Sequence, residues 1–181
     1  VPDTDEKGKK AKNTQVNLAP PLVSYEDKQL SINNDYLQFT DIIEFEKLYK
    51  KASVTKSDDQ LIKLLSRAAG LYKGDFLEGI YDTWAEELRT KYSSHYIEIA
   101  EKLLEILFNK GKFDEVIETA ENLNRLDKYN LKSYEYLLKA LHNLKRHKML
   151  KDTYTRLSKT YVKEYDEELP LSFTSKVKPM L

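Results

Sequence analysis

The feature that most constrains this chain is a pattern that returns after 34 residues. With Gly111 and Phe113 taken as a turn, Ala100, Leu103, Leu104 and Leu107 precede it, and Val116, Ile117, Ala120, Leu123 and Leu126 follow it. The same places one period later hold Tyr134, Leu137, Leu138 and Leu141, then Leu150, Tyr154 and Leu157. Within each run the apolar residues are three or four apart, which puts them on one face of a helix. A stripe that narrow cannot stabilise an isolated helix. Antiparallel pairing, followed by stacking on the next pair, buries it. Each large aliphatic side chain so buried contributes roughly 1.5–3 kcal/mol against the entropy of ordering the chain. The second copy departs from the first at its turn, where Lys145 and His147 replace the glycine and the phenylalanine.

A period of 34 is that of tetratricopeptide helical hairpins. The expected fold is therefore mainly α: tetratricopeptide-like antiparallel hairpins in a right-handed superhelix. Only five glycines and five prolines interrupt the chain, in keeping with long helices. Further helical periodicity predicts helices over 41–53 and 57–72 and a long one from Thr83 to Asn109. The first shares a face of Ile42, Phe45, Leu48, Tyr49 and Ala52, with Thr40 or Asp41 as its cap. The second turns Leu61, Leu64, Leu65, Ala68 and Leu71 inward. Leu171–Leu181 is expected to form a terminal cover. The first 22 residues differ: Asp3–Lys12 is strongly charged, and Pro20-Pro21 forbids a helix through that point. Val23/Tyr25 and Leu30/Ile32 then alternate with polar neighbours, predicting a small N-terminal β-hairpin, with Tyr36–Phe39 as a further short strand. The expected division is 1–39 and 40–181.

Thirty basic and thirty acidic residues cancel, so no global field draws the chain to nucleic acid or to a membrane. Without cysteine there is neither a disulfide frame nor a thiolate metal site. No apolar run reaches the ~20 residues of a membrane span. The first residue is Val1 rather than Met, which predicts a piece of a longer protein.

Leu71-Tyr72-Lys73-Gly74-Asp75-Phe76-Leu77-Glu78-Gly79, followed by Trp84-Ala85-Glu86-Glu87-Leu88-Arg89, resembles the bacterial transcriptional activator domain of SARP-type regulators. The resemblance runs over roughly Asp41 to Pro170, and the tail from Tyr161 to Phe173 is similar to a branch found in Bacteroidota-type regulators. It implies a helical protein-interaction module behind a winged-helix DNA-binding domain. The module would relay to a sensor, a dimer partner or RNA polymerase, in the cytoplasm, from a parent that some relatives tether to a membrane. By the same resemblance, residues 1–39 look like a partial winged-helix remnant, with Ala11-Lys12-Asn13 near the recognition helix and Val23–Asn33 as the wing. A three-turn recognition helix needs ~11 residues, more than lie between Asn13 and Leu22. Either the helix is deleted or residues are missing between about Thr14 and Pro20. DNA contact is therefore expected of the parent's winged helix rather than of this chain alone.

The first helix of each repeat should line a groove, with Glu98, Glu101, Lys102, Glu105 and Asn109 from one repeat and Lys132, Glu135, Tyr136, Lys139 and Asn143 from the next. Of these, Lys102, Glu105, Asn109, Lys132, Tyr136, Lys139 and Asn143 are the candidate partner-binding residues. Glu101 and Glu105 would repel a carboxylate, so a mixed or basic ligand is expected. A second candidate is the basic face of Lys145, Arg146, Lys148, Lys151 and Arg156, within a segment that continues to Lys159 and Lys163. It could meet phosphates or an acidic protein surface, or be a solvated face balanced by nearby acids. Trp84 is expected to pack its loop onto the first hairpin. His95, His142 and His147 lack ligand spacing, and no phosphate loop or nucleophile elbow is present. No catalytic residue, metal or cofactor is expected, and no small-molecule substrate. The alternative to a regulator module is a generic tetratricopeptide scaffold that binds a peptide or partner outside transcription.

Overall fold

The computed structural model describes residues 23–26, 28–32 and 40–181. Residues up to Thr40 and from Asp41 form two separate compact units. In the first unit, β1 (Val23–Glu26) and β2 (Gln29–Ile32) pair antiparallel, with Val23 opposite Ile32 and Glu26 opposite Gln29. Lys28, in the turn, takes a left-handed φ of 65°. The expected recognition-helix region between Thr14 and Pro20 and the strand at Tyr36–Phe39 lie outside the described residues.

The second unit is helical throughout: α1 (Asp41–Val54), α2 (Asp58–Leu71), α3 (Thr83–Asn109), α4 (Phe113–Leu126), α5 (Leu131–Asn143), α6 (His147–Tyr165) and α7 (Leu171–Val177), closed by a 3-10 turn at Lys178–Met180. From α1 to α6, each helix packs on the next, α3 also packs on α5, and α5 on α7. This is hairpin pairing with the first helices of successive repeats stacked. Leu103, Leu104, Leu107, Leu137, Leu138 and Leu141 are all buried in one core with Val116, Leu123, Leu150 and Leu157. The shared apolar seam read from the 34-residue period is therefore real. In α2 the period is met by Leu61, Leu65 and Ala68, joined by Ile62, while Leu64 and Leu71 are only half-buried.

The two repeat turns are superimposable in their hydrogen bonds, although their sequences differ. After α3, Gly111 N–H donates to the Phe108 carbonyl and Lys112 N–H to that of Leu107, each at 2.9 Å. After α5, Lys145 donates to His142 and Arg146 to Leu141, again at 2.9 Å. Both follow the Schellman pattern, which needs a left-handed residue at its centre. Gly111 has φ 72° and Lys145 has φ 57°. The flanking rings correspond as well. Phe108 meets Phe113 edge-on at 5.4 Å, and one period later His142 meets His147 edge-on at 6.4 Å.

The longest helix, α3, spans about 40 Å at 1.5 Å per residue. Its first half serves the preceding hairpin. Tyr92 packs edge-on against Phe45 and Phe76, and Tyr96 stacks on Tyr72 with centroids 4.5 Å apart. Its second half carries Leu103, Leu104 and Leu107 against α4.

Candidate functional site

The helices α1, α3, α5 and α7 are joined by a ladder of ion pairs, each from an acid on one to a lysine on the next. Glu46 of α1 accepts from Lys91 of α3. Glu101 of α3 accepts from Lys132 of α5 at 2.9 Å, and Glu135 of α5 from Lys176 of α7 at 2.8 Å. Glu101 and Glu135 occupy equivalent places in the two repeats, so α7 stands where the first helix of a further repeat would stand. The hydrogen bond from Lys91 holds the Glu46 carboxyl below its ordinary range, against the opposing effect of burial. Burial pushes Glu135 up, but hydrogen bonds from Lys139 and Lys176 outweigh it and leave that carboxyl lowered. The bond to Glu101 raises Lys132.

This ladder takes up Glu101, Lys132 and Glu135 of the expected groove, and local bonds take up the remaining charges. Lys102 pairs with Glu105 along its own helix at 3.2 Å. Lys139 bonds to Glu135 and lies 5.7 Å from the Tyr136 ring centre, and Asn143 donates to the Lys139 carbonyl at 2.8 Å. Tyr136 meets Phe108 edge-on at 5.6 Å, and Asn109 is exposed. Glu98 accepts from the Tyr49 hydroxyl, and the Tyr49 ring stacks on His95 at 4.1 Å. On the α5 side the chain covers itself. Phe173 and Val177 are buried, Lys176 reaches Glu135, and His142 Nδ1 lies 3.3 Å from the Met180 carbonyl oxygen. A cleft of about 370 Å³ between Tyr136 and Phe173 is what remains open there.

The loop between α2 and α3 has a different character. Arg89 lies along it and donates to the backbone carbonyls of Phe76, Leu77 and Ile80 at 3.2, 2.9 and 2.9 Å, while pairing with Glu86. Leu77 is held at φ 50° and Gly79 at φ 88°. A branched residue in the left-handed region is strained by roughly 1–2 kcal/mol, so the clamp maintains a conformation the loop would not choose. Tyr72 closes its base and donates to Asp75 at 3.2 Å. Burial, then the nearby Asp75 charge, pushes that phenol up to about 12. Trp84 does not pack the loop as expected. It is 52% exposed, beside exposed Leu77, Ile80 and Tyr81. The packing role falls to Phe76, against Tyr92, and to the arginine.

The order found here is a leucine-rich helix, a clamped glycine-bounded loop, a Trp-to-Arg helix start and two hairpins. A family model for the bacterial transcriptional activator domain matches residues 40–172. The chain belongs to that family. No curated protein matches it. Membership gives the activator domain its class, a transcription-related regulatory module rather than a known enzyme family. Among the described residues there is no cluster of side chains that could hold a metal ion, and no helix long and apolar enough to cross a membrane.

The basic face of the activator domain splits in two. Arg146, at the turn, pairs with Asp114 of the preceding repeat at 2.7 Å, and Lys145 is the left-handed turn residue itself. Lys148, Lys151 and Arg156 lie exposed on α6 and make no ion pair among the described residues, and the same holds for Lys159 and Lys163. Sequence reasoning missed Arg89 as the loop's organiser. Its only signal was the Trp84-to-Arg89 spacing, read as a motif and not as a clamp.

Proposed function

We propose that this activator domain is the protein-interaction module of a bacterial transcription regulator. It relays between a winged-helix DNA-binding domain on its N-terminal side and a protein partner: a sensor, a dimer mate or RNA polymerase. The observation that carries the reading is the family match across residues 40–172. The hairpin Val23–Ile32 is the wing of that DNA-binding domain in this reading, and 40–181 is the relay. The working surfaces are exposed ones: the clamped Leu77–Trp84 loop and the α6 face, with the Lys102–Asn143 groove contributing where α7 leaves it open. The parent acts in the cytoplasm.

The test is deletion in the parent regulator. Without residues 41–181 it should still retard its promoter DNA, yet lose activation of a reporter by tenfold or more. Full activation by the truncated protein sinks the proposal. Co-purification with chaperones or secretion machinery instead of polymerase subunits or a second copy would move the module to a scaffold outside transcription.

A further inference from the structure

Two exposed surfaces of this domain have opposite charge and each carries unburied apolar residues. On the α2–α3 loop and the first turn of α3, Leu77, Ile80, Tyr81 and Trp84 are all exposed. The same stretch carries the exposed acids Glu78, Asp82 and Glu87, and none of these makes an ion pair among the described residues. The loop's arginine is turned inward onto backbone carbonyls, so it does not offset the acids. On α6, Lys148, Lys151, Lys159 and Lys163 are exposed at intervals that place them along one stripe of the helix, with Asp152 as a single acid among them. Val162 is exposed within that stripe and Met149 at its margin. Elsewhere in the domain the ladder joins the first helices by ion pairs, while exposed charges such as Lys50, Lys63, Glu118 and Glu121 make none among the described residues. These two regions stand out because each joins unpaired charge of mainly one sign to exposed large apolar residues.

We propose that the two surfaces are halves of one contact between two copies of this chain. The loop of one copy docks on the lysine stripe of the other. Trp84 and Tyr81 supply the large, rigid side chains that dominate interfaces when desolvated, and Met149 and Val162 give them an apolar seat. The acids and lysines fix orientation and discriminate against like-charged surfaces. A two-fold arrangement satisfies both halves twice, whereas a head-to-tail chain would leave one half of each end copy unused. Because Arg89 holds the loop in its strained form beforehand, little ordering is left to oppose association. The inference rests on the protein-interaction reading above, and not on its transcriptional part.

The 181-residue chain is examined by sedimentation velocity from micromolar to sub-millimolar concentration at low salt. The weight-average mass should climb from 21.2 kDa toward twice that value, and 0.5 M salt should weaken association about tenfold as the charges are screened. Lys151→Glu with Lys159→Glu, and separately Glu78→Lys with Glu87→Lys, should each weaken it by about tenfold or more. Mixing the two reversed proteins should restore it, which a misfolded variant could not do. Wild-type mass constant at 21.2 kDa, or no recovery on mixing, overturns the contact. So does retardation of a random DNA duplex by a monomer in which only the lysine reversal abolishes binding, since the stripe would then serve phosphates. A monomeric result leaves the transcriptional reading to its own deletion test.

Discussion

Lys145 and Gly111 occupy the same place in two copies of one turn, so exchanging their character measures what that turn costs. Each has a left-handed backbone, at φ 57° and 72°, and each lies within the same pair of 2.9 Å hydrogen bonds. An L-residue in that region is disfavoured by roughly 1–2 kcal/mol. Glycine escapes this penalty but loses about 0.4–1 kcal/mol more on folding, because its unfolded chain is freer. Lys145→Gly should therefore stabilise the domain by about 0.5–1 kcal/mol, the difference between those two effects. Gly111→Ala should destabilise it by a similar amount. A Cβ built at Gly111 meets nothing within 4 Å, so its cost is conformational and not a clash. Urea unfolding followed at 222 nm gives both values from the midpoints if the slopes are unchanged, and the melting temperatures should move in opposite directions by about 1–3 °C. A neutral Gly111→Ala, or a destabilising Lys145→Gly, would refute the equivalence of the turns.

Further outcomes follow from the packing and the electrostatics. Gly70 lies in the last turn of α2 with nothing within 4 Å of a built Cβ and no positive φ. Gly70→Ala should raise stability by about 0.5–1 kcal/mol in the same urea assay. Leu104 and Leu138 are equivalent core residues with almost no exposure, so alanine at either should cost about 2–5 kcal/mol; a loss below 1 kcal/mol at both would mean the shared seam is not cooperative. Arg89→Ala removes the three carbonyl contacts and should expose the 74–82 loop to limited proteolysis, whereas unchanged cleavage rates would show the clamp to be dispensable. Folded Glu135 has a carboxyl below its ordinary 4.5, so its contribution is complete above that pH and fades as pH falls through the lowered value. Glu135→Gln should flatten that acid limb. Tyr72, raised from 10.0 to about 12, contributes fully below pH 10 and loses its contribution as pH climbs through the raised value. Tyr72→Phe should flatten the alkaline limb, and parallel curves for wild type and variant would contradict either assignment.

Much of the helical architecture was legible because burial imposes a period. Leu103, Leu107, Leu137 and Leu141 must lie on one face, and a helix offers a face every three or four residues. The extent of α3 was also readable, since the long helix expected from Thr83 to Asn109 is the one observed. The left-handed Lys145 was not readable. Lysine has no preference for such a backbone, and only the surrounding hairpin holds it there. Nor did the spacing of His142 and His147 reveal their role, because an edge-on ring pair is recognisable only beside its Phe108–Phe113 counterpart.

The candidate site divides along the same line. One-dimensional pattern selected the groove residues, since a helix's exposed face is set by its buried one. What those residues do was decided by long-range pairing that no local spacing encodes. Glu135 meets Lys176 from α7, Lys132 meets Glu101 from α3, and Arg146 meets Asp114, which leaves only part of the predicted basic face free. Trp84 was expected to pack its loop onto the first hairpin and lies half exposed, while Arg89 ties the loop's carbonyls down. The amino-acid order by itself determined which residues are apolar, how often they recur and hence that helices must pair. Only the tertiary structure decided which charges are spent on one another and which stay open to a partner, since electrostatic pairing depends on distances between segments that folding alone brings together.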